Sequence, residues 1–407
     1  MKCGLLGQRL GHSYSPQIHG LLASYSYGLF EKQAEELENF LKNGDFSGLN
    51  VTIPYKKSVI PYLSELSPIA SRLGAVNTII RRGERLVGHN TDYFGFQSMV
   101  RQSGLRVSGK KALVLGSGGA SNTAVAVLGE LGANVIVISR SGENHYGNLH
   151  LHADAAIIVN ATPVGMYPNV GASPIDLDGF PKLEGVLDIV YNPARTQLLL
   201  DAESRGLVTM NGLWMLVAQA KESAEWFSGM PISDAKITEI HHKLRLQTEN
   251  IILIGMPGSG KSTVGRLLAE SLGKQFVDAD AAIIQKAGMT IPDLFKSAGE
   301  DGFRTIETEV LKELGKQSGL VIATGGGCVT RVENYPLLRQ NGTIFCLNRR
   351  LDLLPTHGRP LSQAGRLEEM YRLRAPLYAK FADFQIDNHS LPENAANQIL
   401  QILEETP

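Results

Sequence analysis

Asn250-Ile-Ile-Leu-Ile-Gly-Met-Pro-Gly-Ser-Gly-Lys-Ser-Thr263 is the stretch whose reading decides the fold. Ile251 to Ile254 is a short apolar run of strand type. Gly255, Gly260, Lys261 and Ser262 then fill every fixed position of the G-x-x-x-x-G-K-[ST] pattern. Val264, Leu267, Leu268 and Leu272 recur at helical spacing, and Gly273 marks a stop, so the pattern lies between a strand and a helix. Glycines let backbone N–H groups converge on an anion, and the helix N-terminus adds its dipole. Gly258, Ser259, Gly260, Lys261, Ser262 and Thr263 therefore read as a cradle for ATP phosphates. Lys261 would reach the β- and γ-phosphates, and Ser262 would offer its hydroxyl to Mg²⁺.

The cradle starts well past the middle of a 407-residue chain, so the residues before it need a fold of their own. With 39 basic and 40 acidic residues and a formal charge of -1, there is no field for nucleic acid or an anionic membrane, and neither is expected as a partner. Cys3, Cys328 and Cys346 stand far apart with no C-x-x-C pair, which fits a reducing cytoplasm better than a disulfide framework or zinc. No run approaches the ~20 apolar residues of a membrane span. A first strand at Cys3 to Gly7 leaves little room for a leader. Monomer and homodimer stay equally open.

In the first half, Gly11-His-Ser-Tyr-Ser-Pro16 precedes a helical segment, with Pro16 suited to a first helical position. Ser13 and Ser15 there suit capping or anion binding. Leu49-Asn-Val-Thr-Ile-Pro-Tyr-Lys56 alternates, so Asn50 and Thr52 are expected on one face and Leu49, Val51 and Ile53 on the other. Polar clusters follow at Ala75-Val-Asn77-Thr and Gly88-His-Asn90-Thr-Asp92, with Asp92 placed to cap a helix. Lys111-Ala-Leu-Val-Leu-Gly116-Ser117-Gly118-Gly119-Ala120-Ser is strand, glycine turn and helix, a variant of the dinucleotide fingerprint. The next strand, Val135 to Ile138, ends in Ser139-Arg140-Ser141. Arginine rather than an acid there favours NADP over NAD. Gly142 to His152 reads as a polar loop in place of a full helical crossover.

These clusters together resemble shikimate dehydrogenase from about Lys2 to Leu246: His12-Ser-x-Ser-Pro, Asn50-Val-Thr-x-Pro-x-Lys56, Ala75-Val-Asn-Thr, Asn90-Thr-Asp92, Asn160-Ala-Thr162 and Met215-Leu-Val-x-Gln219 occur in the family's order. The resemblance implies that Ser13 and Ser15 hold the substrate carboxylate, that Thr52, Asn77 and Gln219 contact the ring hydroxyls with Asn50 on the same substrate-binding face, and that Tyr191 lines the substrate pocket at its nicotinamide end. It makes Lys56 and Asp92 the catalytic pair. Gly116, Ser117, Gly118, Gly119, Ala120, Arg140, Thr162, Gly212 and Met215 would line the NADP(H) site. Lys56 can donate a proton while stabilising the oxygen on which charge develops.

Beyond the phosphate loop, Gln275-Phe-Val-Asp278-Ala-Asp280, Gly299-Glu-Asp-Gly-Phe-Arg304, Thr324-Gly325-Gly326-Gly327, Arg359-Pro-Leu and Leu373-Arg374-Ala-Pro-Leu-Tyr378 resemble shikimate kinase in order. The resemblance gives Asp278 to Mg²⁺ and Asp280 to the attacking ring hydroxyl. Arg304 and Arg374 would grip the carboxylate of shikimate, and Gly326 and Gly327 would contact its ring. Arg359 would sit on a lid and meet the transferred phosphoryl group. The adenine-side arginine stays open between Arg349 and Arg350.

The expected fold class is α/β throughout. A substrate-binding domain covers 1–95 and is completed by helices around 212–246. A Rossmann-type NADP-binding domain covers 96–246, and a P-loop kinase α/β/α domain with a parallel sheet covers 250–407. The expected reactions are reduction of 3-dehydroshikimate and phosphorylation of shikimate. A quinate-type dehydrogenase, a kinase for another small polyol, and a nucleotide sensor without turnover are the alternatives.

Overall fold

The computed structural model describes residues 1–11, 13–354 and 364–405. Three sheets organise it. The first holds β1 (Lys2–Gly7), β2 (Ser26–Glu31), β3 (Gly48–Val51), β4 (Glu65–Leu66), β5 (Thr78–Arg82) and β6 (Arg85–His89), in the order β2-β1-β3-β5-β6-β4. It is mixed: β1 runs parallel to β2 and β3, and β5 runs antiparallel to β3 and β6.

The second sheet is parallel throughout: β7 (Lys111–Leu115), β8 (Asn134–Ile138), β9 (Ile157–Asn160), β10 (Gly185–Asp188) and β11 (Val208–Met210), in the order β11-β10-β9-β7-β8. Its central strands are apolar on both faces, as a parallel sheet covered by helices requires; Ala112 to Leu115 and Ile157 to Val159 are fully buried. The third sheet is also parallel: β12 (Asn250–Ile254), β13 (Gln275–Asp278), β14 (Leu320–Ala323), β15 (Gly342–Asn348) and β16 (Phe384–Asp387), in the order β13-β14-β12-β15-β16. Ile252 and Ile254 of β12 enter one core, while Ile251 and Leu253 enter the other.

The chain divides into two compact units. One comprises residues 1–166, 172–191 and 201–241 and carries the first two sheets. The other comprises 167–171, 192–200 and 242–407 and carries the third. Helix Ala235–Thr248 ends two residues before Asn250 of β12.

Several local expectations are corrected. The strand after Gly48 ends at Val51, and Ile53 is 77% exposed rather than sharing the buried face of Leu49 and Val51. Pro54 has no N–H for a ladder, and the Tyr55 N–H turns back to the Thr52 carbonyl at 2.9 Å. Asp92 does not cap its helix. Thr91 occupies the cap position and Asp92 is the first residue of helix Asp92–Gln102, which frees its carboxylate for other partners. Within Gly142 to His152 the chain forms a 3-10 turn, Tyr146–His152, closed by reciprocal bonds between His145 and Asn148. The polar residues of this stretch satisfy the backbone locally, so it is structured although it holds no full crossover helix.

Helix Asp92–Gln102 crosses helix Leu213–Ser228 at Gly95, where an added Cβ would lie 2.7 Å from the Met215 carbonyl oxygen and 2.9 Å from Gln219 Cβ. Replacing Gly95 by Ala forces the helices apart and should destabilise the first unit by about 1–3 kcal/mol. Calorimetry of the full chain should show this as a lower melting temperature for that unit, while the transition of the second unit stays in place.

Candidate active sites

In the first unit, β3, β5 and helix Asp92–Gln102 deliver one polar cluster. Lys56 Nζ donates to Asp92 Oδ2 at 2.6 Å, and Asn77 Nδ2 donates to Asp92 Oδ1 at 2.9 Å. Both side chains of the ion pair are partly shielded from solvent. Asn77 is itself fixed from behind, because the Thr91 N–H donates to its Oδ1 at 2.7 Å. Asn50 is buried, accepts from the Tyr27 hydroxyl at 2.7 Å and donates to Ser223 at 2.8 Å. Thr52 is half-buried at the end of β3. Gln219 is half-buried on helix Leu213–Ser228, 3.5 Å from the Thr91 hydroxyl.

Ser13 and Ser15 flank the start of helix Ser15–Leu22, with Pro16 in its first turn. Tyr14 takes the cap position without a side-chain cap, and the Ser13 hydroxyl accepts the Ser15 N–H at 3.2 Å. The Tyr14 ring lies 5.9 Å from that of Tyr191, which brings Tyr191 to the same rim as the two serines. Burial raises the pKa of both phenols, and each stays protonated at neutral pH.

The dinucleotide turn follows β7. Gly116 has φ 107°, which disfavours any side chain, and a Cβ there would meet Thr162 at 3.0 Å. Thr162 is held by Asn160 Oδ1, which accepts its N–H at 3.0 Å and its hydroxyl at 2.7 Å. Asn160 in turn donates to the buried Asp188 at 3.0 Å. Ser117, Gly118 and Gly119 are exposed, and Ala120 is half-buried. Helix Gly119–Glu130 begins there with no side-chain cap, so its first N–H groups face an open rim that fits a pyrophosphate. Arg140 follows β8, is exposed, and its side chain makes no hydrogen bond or ion pair with a described residue, which leaves the fork available to a phosphate. The Gly212 N–H donates to the Val190 carbonyl at 3.1 Å, and Met215 is buried on the helix that follows.

In the second unit the phosphate loop runs from β12 into helix Lys261–Leu272. Gly258 and Gly260 have φ of 86° and 96°, and Ser259 is fully buried. Lys261 Nζ donates to the carbonyls of Gly255 and Met256 at 2.9 and 3.0 Å, a position from which it can swing to a phosphate. The Ser262 hydroxyl donates to Asp278 Oδ2 at 2.8 Å, while Asp278 Oδ1 caps helix Ala279–Ala287. Thr263 is exposed one residue on. Among the described residues no three His, Cys, Asp or Glu side chains gather as a metal cage. One hydroxyl and one carboxylate fit Mg²⁺, which takes its remaining ligands from water and phosphate.

Beside the loop, Asp280, Glu307 and the turn Gly325 to Gly327 converge. A Cβ on Gly325 would lie 2.6 Å from Glu307 Oε1 and 3.0 Å from Asp280 Oδ1. Arg304 packs against Gly327 and donates to Glu307 at 2.7 Å and Glu300 at 3.2 Å. Arg374 Nη1 and the Tyr378 hydroxyl both donate to the Gly326 carbonyl, the former at 3.1 Å. Burial pushes the Glu307 carboxyl up, with the Arg304 charge opposing and the Asp280 charge adding to the rise. Arg349 Nη1 lies 3.9 Å from a Cβ placed on Gly260, whereas Arg350 pairs with Asp352 at 2.7 Å, so Arg349 is the arginine on the phosphate-loop side. Arg359 lies outside the described residues.

A model of the shikimate dehydrogenase substrate binding domain matches residues 5–79, and the shikimate kinase model matches residues 257–404. The shikimate dehydrogenase (NADP(+)) of Clostridium perfringens is 34% identical over 264 residues, covering 60% of this chain and 97% of that protein. The chain belongs to the shikimate dehydrogenase family. Its kinase domain follows in the same polypeptide. Among solved structures, a chorismate mutase/shikimate 5-dehydrogenase fusion from Clostridium acetobutylicum has a TM-score of 0.57 at 36% identity, covering 60% of this chain and 96% of that one. Shikimate 5-dehydrogenase from Thermus thermophilus, in complex with NADP(H) and shikimate, has a TM-score of 0.56 at 31% identity, covering 60% and 99%.

The sequence did not single out Tyr14, Thr91 and Ser223 in the dehydrogenase half, or Glu307 and Asn388 in the kinase half. Asn388 donates to the Ser259 carbonyl at 2.8 Å and braces the phosphate loop. His19 carries no local sequence signal either. It stacks on Tyr27 at 4.0 Å and bonds the Tyr25 hydroxyl at 2.6 Å, and burial lowers its pKa from 6.5 to about 3. His89, stacked on Trp226, is lowered to about 4, by burial first and by Arg82 second. Both imidazoles stay neutral in the folded unit while the unfolded chain takes up protons below pH 6.5. Stability is therefore full above that pH and declines as pH falls towards 4, by about 1.4 kcal/mol per pH unit for each. Thermal melts of the first unit should show this decline. A melting temperature unchanged between pH 6.5 and 4 contradicts neutral, buried His19 and His89.

Proposed function

We propose that this chain performs two consecutive reactions on one ring acid: reduction of 3-dehydroshikimate to shikimate with NADPH, and transfer of the ATP γ-phosphoryl group to the shikimate 3-hydroxyl. The observation that carries the reading is a pair of nucleotide cradles, one per unit, each beside donors suited to a carboxylate and a hydroxylated ring. We assign the first reaction to residues 1–246 and the second to 250–407, in a cytoplasmic enzyme. Three buried free cysteines suit such a compartment.

In the first site Ser13 and Ser15 hold the carboxylate, and Asn50, Thr52, Asn77, Tyr191 and Gln219 orient the ring. Gly116 to Ala120, Arg140, Thr162, Gly212 and Met215 would hold NADPH, which supplies the hydride when bound. Lys56 gives its proton to the ketone oxygen as negative charge develops there. Asp92, bonded to Lys56 and Asn77, fixes the ammonium group's direction. In the second site Gly258 to Thr263 cradle the phosphates, and Ser262 and Asp278 would hold Mg²⁺, which neutralises phosphate charge when bound. Asp280 orients the 3-hydroxyl, and Arg304 and Arg374 grip the carboxylate next to Gly326 and Gly327. We place Arg359 with the transferred group, as the family pattern implies. Glu307, buried against Arg304, holds that guanidinium in place.

The two reactions separate by mutation. Lys56→Ala should lower dehydrogenase kcat by about 10²–10⁴-fold while shikimate phosphorylation continues at the wild-type rate. Lys261→Ala should abolish phosphorylation and leave NADP⁺-dependent shikimate oxidation intact. Loss of both activities from either substitution contradicts two independent sites.

A further inference from the structure

Behind Lys56 and Asp92 lies a closed set of buried hydroxyls from three parts of the first unit. Thr78 begins β5, Thr91 precedes helix Asp92–Gln102, and Ser223 lies on helix Leu213–Ser228. They are 0%, 2% and 0% exposed. Their oxygens form a triangle, with Thr78 and Thr91 each 2.9 Å from Ser223 and 3.2 Å from one another. The Ser223 hydroxyl donates to the Gln219 carbonyl at 2.9 Å and accepts from Asn50 Nδ2 at 2.8 Å. A hydroxyl has one proton and two lone pairs. With its proton spent on Gln219 and one lone pair taken by Asn50, Ser223 can accept from only one threonine. The hydroxyl of the other threonine can then turn to Asn77 Oδ1, 3.0 Å from Thr78 and 3.2 Å from Thr91, its competing acceptors being the first threonine at 3.2 Å and, for Thr91, Gln219 Oε1 at 3.5 Å.

That bond matters because an amide can sit either way round. With the Thr91 N–H on Oδ1 at 2.7 Å and a threonine hydroxyl placed to join it, the NH₂ of Asn77 faces Thr91 Oγ1 at 3.0 Å and Asp92 Oδ1 at 2.9 Å. A reversed amide would set its oxygen against the carboxylate. Asp92 so held presents its second oxygen to Lys56. We propose that Ser223 is a positioning residue for the proton transfer: its hydroxyl sorts the donors of Thr78 and Thr91, which orient Asn77 and through it the Lys56/Asp92 pair. The inference deepens the dehydrogenase reading above and rests on it.

The test is steady-state oxidation of shikimate by NADP⁺, using the full chain as wild type, Ser223→Ala, Thr78→Val and Thr78→Ser. Loss of one buried donor from the chain should lower kcat about tenfold in Ser223→Ala and Thr78→Val. KM for shikimate should change less than about twofold, and the Kd of NADP⁺, read by protein fluorescence, should not change. Thr78→Ser, which returns the hydroxyl, should recover most of the loss. The kinase rate of the same samples reports that the second unit is folded, and Thr78→Val, which keeps the shape of the side chain, decides the matter if Ser223→Ala does not fold. Wild-type kcat in both variants overturns the proposal. So does a KM rise at constant kcat, which would make Ser223 a substrate contact, or a Thr78→Ser variant as slow as Thr78→Val. A wild-type chain that binds NADP⁺ without oxidising shikimate overturns the dehydrogenase reading, and this inference with it.

Discussion

In both units a buried parallel strand must turn into a helix without a side chain intruding on the space an anion would take. Gly116, with φ 107°, ends β7, and Gly255, with φ 140°, ends β12. At Gly116 a Cβ would press on Thr162, and at Gly255 it would lie 2.6 Å from the Leu347 carbonyl oxygen. Neither position tolerates another residue, on grounds of conformation and of space. Each glycine also stands where strand order reverses, between β7 and β9 in one sheet and between β12 and β14 in the other. An open parallel sheet leaves its crevice at that point.

Once the crevice is set, the chemistry follows from what the neighbouring strands deliver. In the dehydrogenase half the residues proposed for the cofactor follow strands of the second sheet, and Lys56, Asn77 and Asp92 lie in segments next to β3, β5 and β6 of the first. The short contacts among these three are all charge-assisted, and their geometry is set by buried neutral groups rather than by solvent. In the kinase half the same task falls to a buried ion pair. Removing water from Glu307 and Arg304 is costly, and their 2.7 Å contact, together with Glu300 at 3.2 Å from Arg304, offsets that cost. What the arrangement provides is a guanidinium of fixed direction beside the glycine turn at Gly325 to Gly327.

Local pattern carried much of this. The run from Asn250 to Thr263 places strand, loop and helix because each part has its own signature at fixed spacing. The alternation around Asn50 located β3 but overran its end, since alternation does not register that Pro54 cannot donate and that the chain turns at Thr52. Asp92 was legible as a polar residue at a helix start, while its bond to Lys56, 36 residues earlier in the chain, was not readable without the family pattern. Ser223 carried no local signal. It meets Asn50 and Thr78 across 173 and 145 residues of chain, and only the crossing of two helices at Gly95 brings its neighbourhood together. Glu307 was written in the sequence three residues after Arg304, at a spacing that puts both on one helix face, yet that spacing alone does not distinguish a surface pair from a buried one.

One assay bears on the whole account. The purified full chain is given 3-dehydroshikimate, NADPH and MgATP, and oxidised cofactor and ADP are followed together. The account predicts NADPH oxidation at once, ADP formation that follows as shikimate accumulates, and no ADP from 3-dehydroshikimate when NADPH is withheld. ADP formation independent of NADPH, or NADPH oxidation with no ADP after shikimate has formed, would contradict it.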